Sequence, residues 1–258
     1  MTGTAFQCRC LPQCGTGYFP VQGLYQIIAF VMNQHYIEDD PASHICILLI
    51  TDKKYFQGVQ SYCMKVFIVY CHPSDDSFTK HLCDAFIKGI TDSGNEYILS
   101  DLYKMGFDPT MSEQEYLRDA YYRNTPEVAE DVLAEQEKIN SADAIAFIYP
   151  VFWTEAPAKL VGWFDRVWSY GFAYGEKTMK LLDKAIILCS AGNPTERLEQ
   201  FGLLDSMKKV MLGDRLFGRA RETEFVVFDN TSRENELREK NWDINLRRAY
   251  EKGKTFFA

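Results

Sequence analysis

Three short turns hold the residues of this chain that could do chemistry, and each directly follows an apolar run. The first, Cys71-His72-Pro73-Ser74-Asp75-Asp76-Ser77-Phe78-Thr79, offers three hydroxyls and an imidazole where an amphipathic segment begins. The hydroxyls of Ser74, Ser77 and Thr79, with the free backbone N–H groups of a helix N-terminus, can hold a phosphate dianion. Ser74 and Ser77 also read as ordinary helix caps. His72 can donate to a phosphate oxygen or to a pyrophosphate. The second turn, Pro150-Val151-Phe152-Trp153-Thr154, is restricted by its proline and sets flat apolar area beside backbone N–H groups. A Phe-Trp pair after a strand is otherwise core packing. The third, Ser190-Ala191-Gly192-Asn193, is made of small residues that let backbone amides approach a flat group. As a plain turn glycine, Gly192 needs no ligand.

The elements that must position these turns follow from periodicity. Lys65–Tyr70 is a nearly continuous β-branched and aromatic run, as expected of a parallel strand buried on both faces. Phe78, Leu82, Ala85, Phe86 and Ile90 then recur at helical spacing, with a stop at Ser93-Gly94-Asn95. Further strands are predicted over 96–100, 144–149, 185–189 and 225–228, and helices over 158–168, 198–212 and 234–252. Thr125-Pro126 predicts an N-cap with proline at the first helical position, opening a helix to about Asn140. Trp163 and Phe164 sit mid-helix and read as packing residues, in the core or at a subunit interface. Strands alternating with helices give an α/β domain with a parallel sheet covered on both sides. In such sheets ligands lie beyond the carboxyl ends of the strands, where the three turns fall.

Composition bounds the rest. The 258 residues carry a net charge of −8, which gives no reason to expect nucleic acid or an anionic membrane as partner. No run approaches the roughly 20 apolar residues of a membrane span, so no membrane insertion is expected. Residues 1–63 hold three basic and four acidic residues and five of the eight cysteines. They read as an N-terminal extension, non-functional or poorly ordered, ahead of a domain over 64–258. The Cys8, Cys10 and Cys14 cluster lacks the second ligand pair of a zinc knuckle, so no metal site is expected. The remaining cysteines, Cys71, Cys83 and Cys189, lie in or beside core elements, which points to a reducing cytoplasm without disulfides.

The turns carry a family resemblance. His72-Pro73-Ser74-Asp75-Asp76-Ser77-Phe78-Thr79 resembles the phosphate loop of the NAD(P)H:quinone oxidoreductases, and Ser100–Pro109 resembles their second-strand turn. Tyr149–Trp153, with Pro157–Val167 and Phe172-Ala173-Tyr174, looks like their flavin-edge loop and the helix that follows. The resemblance implies a flavodoxin-like doubly wound sheet of order 2-1-3-4-5 with helices on both faces. It implies a flavin, FMN or alternatively FAD, bound by His72, Ser74, Ser77, Phe78, Thr79, Pro150, Val151, Phe152, Trp153, Thr154, Ser190, Ala191, Gly192 and Asn193. It further implies NAD(P)H as co-substrate and a two-electron ping-pong hydride transfer to a quinone, nitro or azo acceptor. Tyr174 corresponds to an aromatic that lines the acceptor pocket from the partner subunit of a homodimer. For the adenosine of FAD, Arg219, Arg221 and Arg233 are the candidates.

The sequence departs from that family at one place of consequence. Aligned on Gly202, Leu198 and Leu204 stand where its best-known members carry a Tyr and a His, and no histidine follows His81. Glu176 replaces a second pocket aromatic. A flavodoxin-type electron carrier and a regulatory flavoprotein subunit of a potassium-efflux transporter are the competing functions.

Overall fold

The computed structural model describes residues 63–257, so the expectations for the N-terminal extension and its cysteine cluster lie outside the described residues. The sheet has five parallel strands in the order β2-β1-β3-β4-β5, as the resemblance implies. They are β1 (Lys65–Tyr70), β2 (Glu96–Asp101), β3 (Ala144–Pro150), β4 (Leu182–Ser190) and β5 (Ala220–Phe228). Around them lie α1 (Phe78–Asp92), α2 (Glu113–Ala120), α3 (Glu130–Ser141), α4 (Ala158–Val167), α5 (Thr195–Gln200), α6 (Leu203–Val210) and α7 (Glu236–Lys254).

Strict alternation along the central strands sends side chains to two cores. Phe67, Val69, Phe147, Tyr149, Ile187 and Cys189 face the side where Val132 and Ile139 of α3 and Leu160, Trp163 and Phe164 of α4 pack. Trp163 and Phe164 are thus buried within this chain's own core. Val66, Ile68, Tyr70, Ile148 and Leu188 face the other side, against Phe78, Leu82, Phe86 and Ile90 of α1 and Ala249 of α7. Each fully buried Ile, Leu or Phe contributes roughly 1.5–3 kcal/mol. Helices α1 and α7 cross at backbone contact: a Cβ added to Gly253 would lie 2.1 Å from the Phe86 carbonyl oxygen. Glu135, the one fully buried carboxylate among the described residues, is completely partnered. It accepts from Ser100 Oγ (2.9 Å), Lys138 Nζ (2.5 Å) and Trp163 Nε1 (2.9 Å), joining β2, α3 and α4.

Several boundaries differ from the expected ones. Helix α3 opens at Glu130 with Ala129 as its cap, not at Thr125. The Arg118 guanidinium donates to the Pro126 carbonyl (3.0 Å) and holds that stretch outside the helix. Helix α2 lies within what reads as a polar excursion; Ser112 and Glu115 close a full capping box at its start. The expected helix over 198–212 breaks at Gly202, whose φ of +66° ends α5 and restarts the chain as α6. A π-helical turn over Met211–Arg215 follows. Strands β4 and β5 start earlier than their apolar runs, through Asp183, Lys184, Arg221, Glu222 and Glu224, because β5 is an edge strand that tolerates charge.

Candidate active site

The hydrogen-bond ladder continues past the strand ends and draws the three turns together. Cys71 N–H donates to Ile148 O (3.0 Å), Val151 N–H to Ser190 O (2.8 Å) and Ala191 N–H to Phe228 O (2.9 Å). Across the intervening β3, the Thr79 and Ser190 hydroxyls are bonded to each other at 2.8 Å, both buried. The first and third turns are therefore one polar unit at the carboxyl edge of the sheet.

In the first turn, Ser77 is the N-cap of α1, its Oγ accepting from Lys80 N–H (3.1 Å). Its hydroxyl proton is left over. His72 Nδ1 lies against both the Ser74 N–H (2.9 Å) and the Ser74 carbonyl oxygen (3.0 Å), which fixes the ring over the loop and turns Nε2 away from it. Burial holds the His72 imidazole below its usual pKa, so it is neutral at pH 7. Among the described residues, the backbone N–H groups of Asp75, Ser77, Phe78 and Thr79 have no acceptor. Four free amides at the positive end of a 15-residue helix suit an anionic oxygen. Of the loop's carboxylates, Asp75 is engaged by Lys104 Nζ at 2.9 Å, and Asp76 is fully exposed to solvent. Phe78 is buried against Trp242, with ring centroids 4.8 Å apart.

The second turn is a tight reversal. Phe152 N–H donates to Glu155 O (2.8 Å) and Glu155 N–H to Phe152 O (3.0 Å). Trp153 and Thr154 between them both have positive φ, +53° and +65°. For a β-branched residue that is strain, and strain of this kind gathers at functional sites. Pro150 is buried at the end of β3 and Val151 is half-buried, whereas Phe152 is exposed and Trp153 fully so. Arg215, from the π-helical turn, pairs with Glu155 (3.0 Å) at the foot of the reversal.

In the third turn Ala191 is buried and Gly192 and Asn193 are exposed. Gly192 is not in the left-handed region, and a Cβ there would meet Ser232 Cβ at an ordinary 3.6 Å. The turn itself does not require glycine; open space above it does not forbid a flat ligand. Leu198 and Leu204 are buried and pack with Ala191 and Val151. An apolar floor stands where a Tyr and a His stand in the family's best-known members.

Tyr174 is not brought to these turns. Its ring packs on Tyr170 (5.7 Å) and its hydroxyl lies at Asp119, itself held by Arg118 (2.7 Å). Burial, then the charge of Asp119, pushes its pKa up to about 12. Arg219 and Arg221 are also elsewhere, at the amino end of the sheet, where Arg221 bonds Asp183 (3.3 Å) and Arg219 stacks on Trp168. They cannot serve a ligand at the carboxyl edge. A cavity of about 340 Å³ is remote as well, lined by Arg118, Gln136, Phe172 and Glu176 among others.

Two contributors escaped the sequence reading. The loop after β5 braces the third turn, with Thr231 N–H on Ala191 O (3.0 Å) and Asp229 accepting from Thr195 (2.7 Å). Its position beyond a strand's carboxyl end was the available signal. Beside the first turn, Trp242, Arg238, Glu239 and Asp243 of α7 line a groove of about 310 Å³. Arg238 stacks on Trp242 at 4.7 Å, and its buried Nε has no partner.

Comparison with known proteins agrees with this fold. The family described as having a flavodoxin-like fold matches residues 64–251. An NAD(P)H:quinone oxidoreductase from Methanothermobacter marburgensis is similar at 40% identity and a TM-score of 0.72, covering 76% of this chain and 98% of its own. NAD(P)H dehydrogenase (quinone) 1 of Rattus norvegicus is 33% identical over 128 residues, 45% of this chain and 47% of that protein. The general stress protein 14 of Treponema denticola, solved in complex with FMN, shares the fold at 20% identity and a TM-score of 0.53, over 74% of this chain and 97% of its own. The chain spans about half the length of curated relatives such as NAD(P)H dehydrogenase (quinone) 1 of Rattus norvegicus. From its fold, its strand-end turns and these likenesses, the chain belongs to the flavodoxin-like family, within its NAD(P)H:quinone oxidoreductase group.

Proposed function

We propose that this chain is a flavin-dependent NAD(P)H oxidoreductase that passes two electrons, in a ping-pong cycle, to a quinone, nitro or azo acceptor. The observation that carries the reading is the junction of the first and third turns by the Thr79–Ser190 bond, beside four free amides at the start of α1. When bound, a flavin supplies hydride acceptance and release. The chain's own residues then bind and orient. The amides of Asp75, Ser77, Phe78 and Thr79, the Ser77 hydroxyl and the His72 ring hold the phosphate, with Ser74 shaping the loop. The amides of Trp153 and Thr154 in the second turn and of Gly192 and Asn193 in the third, free among the described residues, meet the polar edge of the ring system. Phe152 and Trp153 exclude water from one side, and Leu198 and Leu204 line the floor without offering a proton.

FMN is the favoured flavin, since the first turn alone accounts for a single phosphate. The Trp242 groove favours FAD as a second reading, because an adenine could stack on Trp242 with Arg238 near its phosphates. Tyr174, distant from its own chain's turns, would complete the acceptor pocket of a partner in a homodimer. Residues 64–258 carry the activity in this reading, and 1–63 contribute none of it.

The test is spectroscopic. The purified protein should show a flavin spectrum that NADH or NADPH bleaches rapidly under anaerobic conditions without a stable semiquinone. No flavin overturns the whole reading; flavin without bleaching favours the electron carrier. Ser77→Glu should expel the flavin by setting an anion where the phosphate belongs, and unchanged occupancy would show the loop to be misassigned. A 64–258 fragment that lost turnover would overturn the domain assignment.

A further inference from the structure

Tyr70 is the last residue of β1, and its side chain lies under the turn that opens α1, among Phe78, Leu82, Cys83 and Phe86. It is 1% exposed, and its hydroxyl has no hydrogen-bond partner. An unpartnered buried hydroxyl is costly, and phenylalanine would fill the same space without that cost. Ser77 lies close enough to interact with it but outside hydrogen-bond geometry. The nearby carboxylates do not compete for the phenol. Asp75 is engaged by Lys104 Nζ (2.9 Å), and Asp101 accepts the N–H groups of Tyr103 and Lys104 (3.2 and 3.1 Å). Burial raises the phenol well above its ordinary value; the approach of Ser77 lowers it, but Cys83, Asp101 and Asp75 raise it further, so the phenol stays protonated and can donate.

Ser77 Oγ has two lone pairs and one proton. Lys80 N–H occupies one lone pair at 3.1 Å. We propose that Tyr70 is a positioning residue for a phosphate ester at the start of α1: its O–H donates to the second lone pair of Ser77 Oγ when the ester is bound. With both lone pairs filled, the Ser77 proton has one direction left, outward onto the anion. Tyr70 thereby makes the site select phosphorylated flavins over riboflavin without touching the ligand. The inference rests on the reading of this turn as the flavin phosphate site.

The full chain, stripped of flavin, is titrated with FMN and separately with riboflavin, following quenching of flavin fluorescence. Wild type should bind FMN more tightly than riboflavin. Tyr70→Phe should weaken FMN about tenfold, the scale of one hydrogen bond to a charged group, and leave riboflavin unchanged. The Tm of the stripped Tyr70→Phe protein should equal or exceed that of wild type, since an unpartnered hydroxyl is removed. In a Ser77→Ala background, Tyr70→Phe should cost nothing further. Undiminished FMN affinity in Tyr70→Phe overturns the proposal and leaves the phosphate reading standing. Equal wild-type affinity for FMN and riboflavin overturns both. An equal loss of both ligands, or a lowered Tm, would mark Tyr70 as a packing residue and overturn the proposal.

Discussion

Replacing Gly253 by alanine should destabilise the protein, although the same change in an exposed helix stabilises. The new Cβ would lie 2.1 Å from Phe86 O, 3.0 Å from Phe86 C and 3.1 Å from Ile90 N. All three are backbone atoms of α1, so no rotamer change relieves the clash. The helices must separate by about 1 Å to restore van der Waals contact, which loosens Phe86, Ile90, Ala249 and Phe256 between them. Overpacking of this kind costs about 1–3 kcal/mol, and a backbone clash belongs at the upper end or beyond. Alanine returns at most about 1 kcal/mol in helix propensity. The net loss is about 2 kcal/mol, or roughly 4–8 °C in Tm for a domain of this size. Urea unfolding followed by circular dichroism measures it. Gly213→Ala is the control, since a Cβ there meets nothing within 4 Å and should leave stability unchanged or slightly raised. A Gly253→Ala protein as stable as that control would refute the close crossing of α1 and α7.

Four other outcomes are expected. Thr154→Gly should raise Tm by a few degrees, because glycine releases about 1–2 kcal/mol of left-handed strain against a smaller entropic loss; a fall in thermal scans would show the reversal to be unstrained. Arg166→Met should cost about 3 kcal/mol in denaturant titrations, leaving Glu115 (2.8 Å) and Asp131 (2.6 Å) without their shared cation, and a loss under 1 kcal/mol would make the network ornamental. Burial works to raise the Asp143 carboxyl, but bonds from Lys65 N–H and Lys180 outweigh it and hold the pKa below the usual value. The folded pKa is the lower one, so the contribution, about 1 kcal/mol, is full above the unfolded pKa and fades as pH falls through the folded one. The stability gap between wild type and Asp143→Asn should therefore be present at pH 7 and shrink below about pH 4; a gap independent of pH would contradict the ion pairing. For the proposed NAD(P)H oxidation, kcat/KM should be flat from about pH 6.5 to 8.5, since His72 lies below its usual range and Tyr174 near 12. A bell centred near pH 7 would reveal an acid or base that the turns do not contain.

The sheet was legible because parallel strands buried on both faces leave near-continuous apolar runs, and 65–70, 144–149 and 185–189 are such runs. The same rule hid the beginnings of β4 and β5, where Lys184 and Glu222 face each other across an edge and no hydrophobic pattern remains. Helix α2 did leave a signal, the Ser112–Glu115 capping box, but a short helix with one apolar contact face is easily read as loop. At the site, the turns were found from residue type and strand-end position alone. What could not be read was how their groups divide the work. Thr79, offered for its hydroxyl, and Ser190, offered as a small residue of the third turn, bond to each other through their hydroxyls, a pairing 111 residues apart in sequence. Tyr70 reads as one more strand aromatic, and Trp242 as one more residue of a polar helix. Their meaning depends on neighbours that only the fold supplies.

Leu198 and Leu204 show how the two kinds of information combine. From the sequence, they mark a missing relay. Packed with Val151, Ala191 and Met207, they form an apolar cluster beside two of the three turns and bring no polar side chain of their own. An apolar cluster beside the turns lowers the local dielectric, which strengthens the backbone bonds of Val151 to Ser190 and of Ala191 to Phe228. It also removes any group that would have to change protonation during turnover. In the proposed function, such a site holds and orients a cofactor that carries its own chemistry, with Phe152 and Trp153 exposed at its rim.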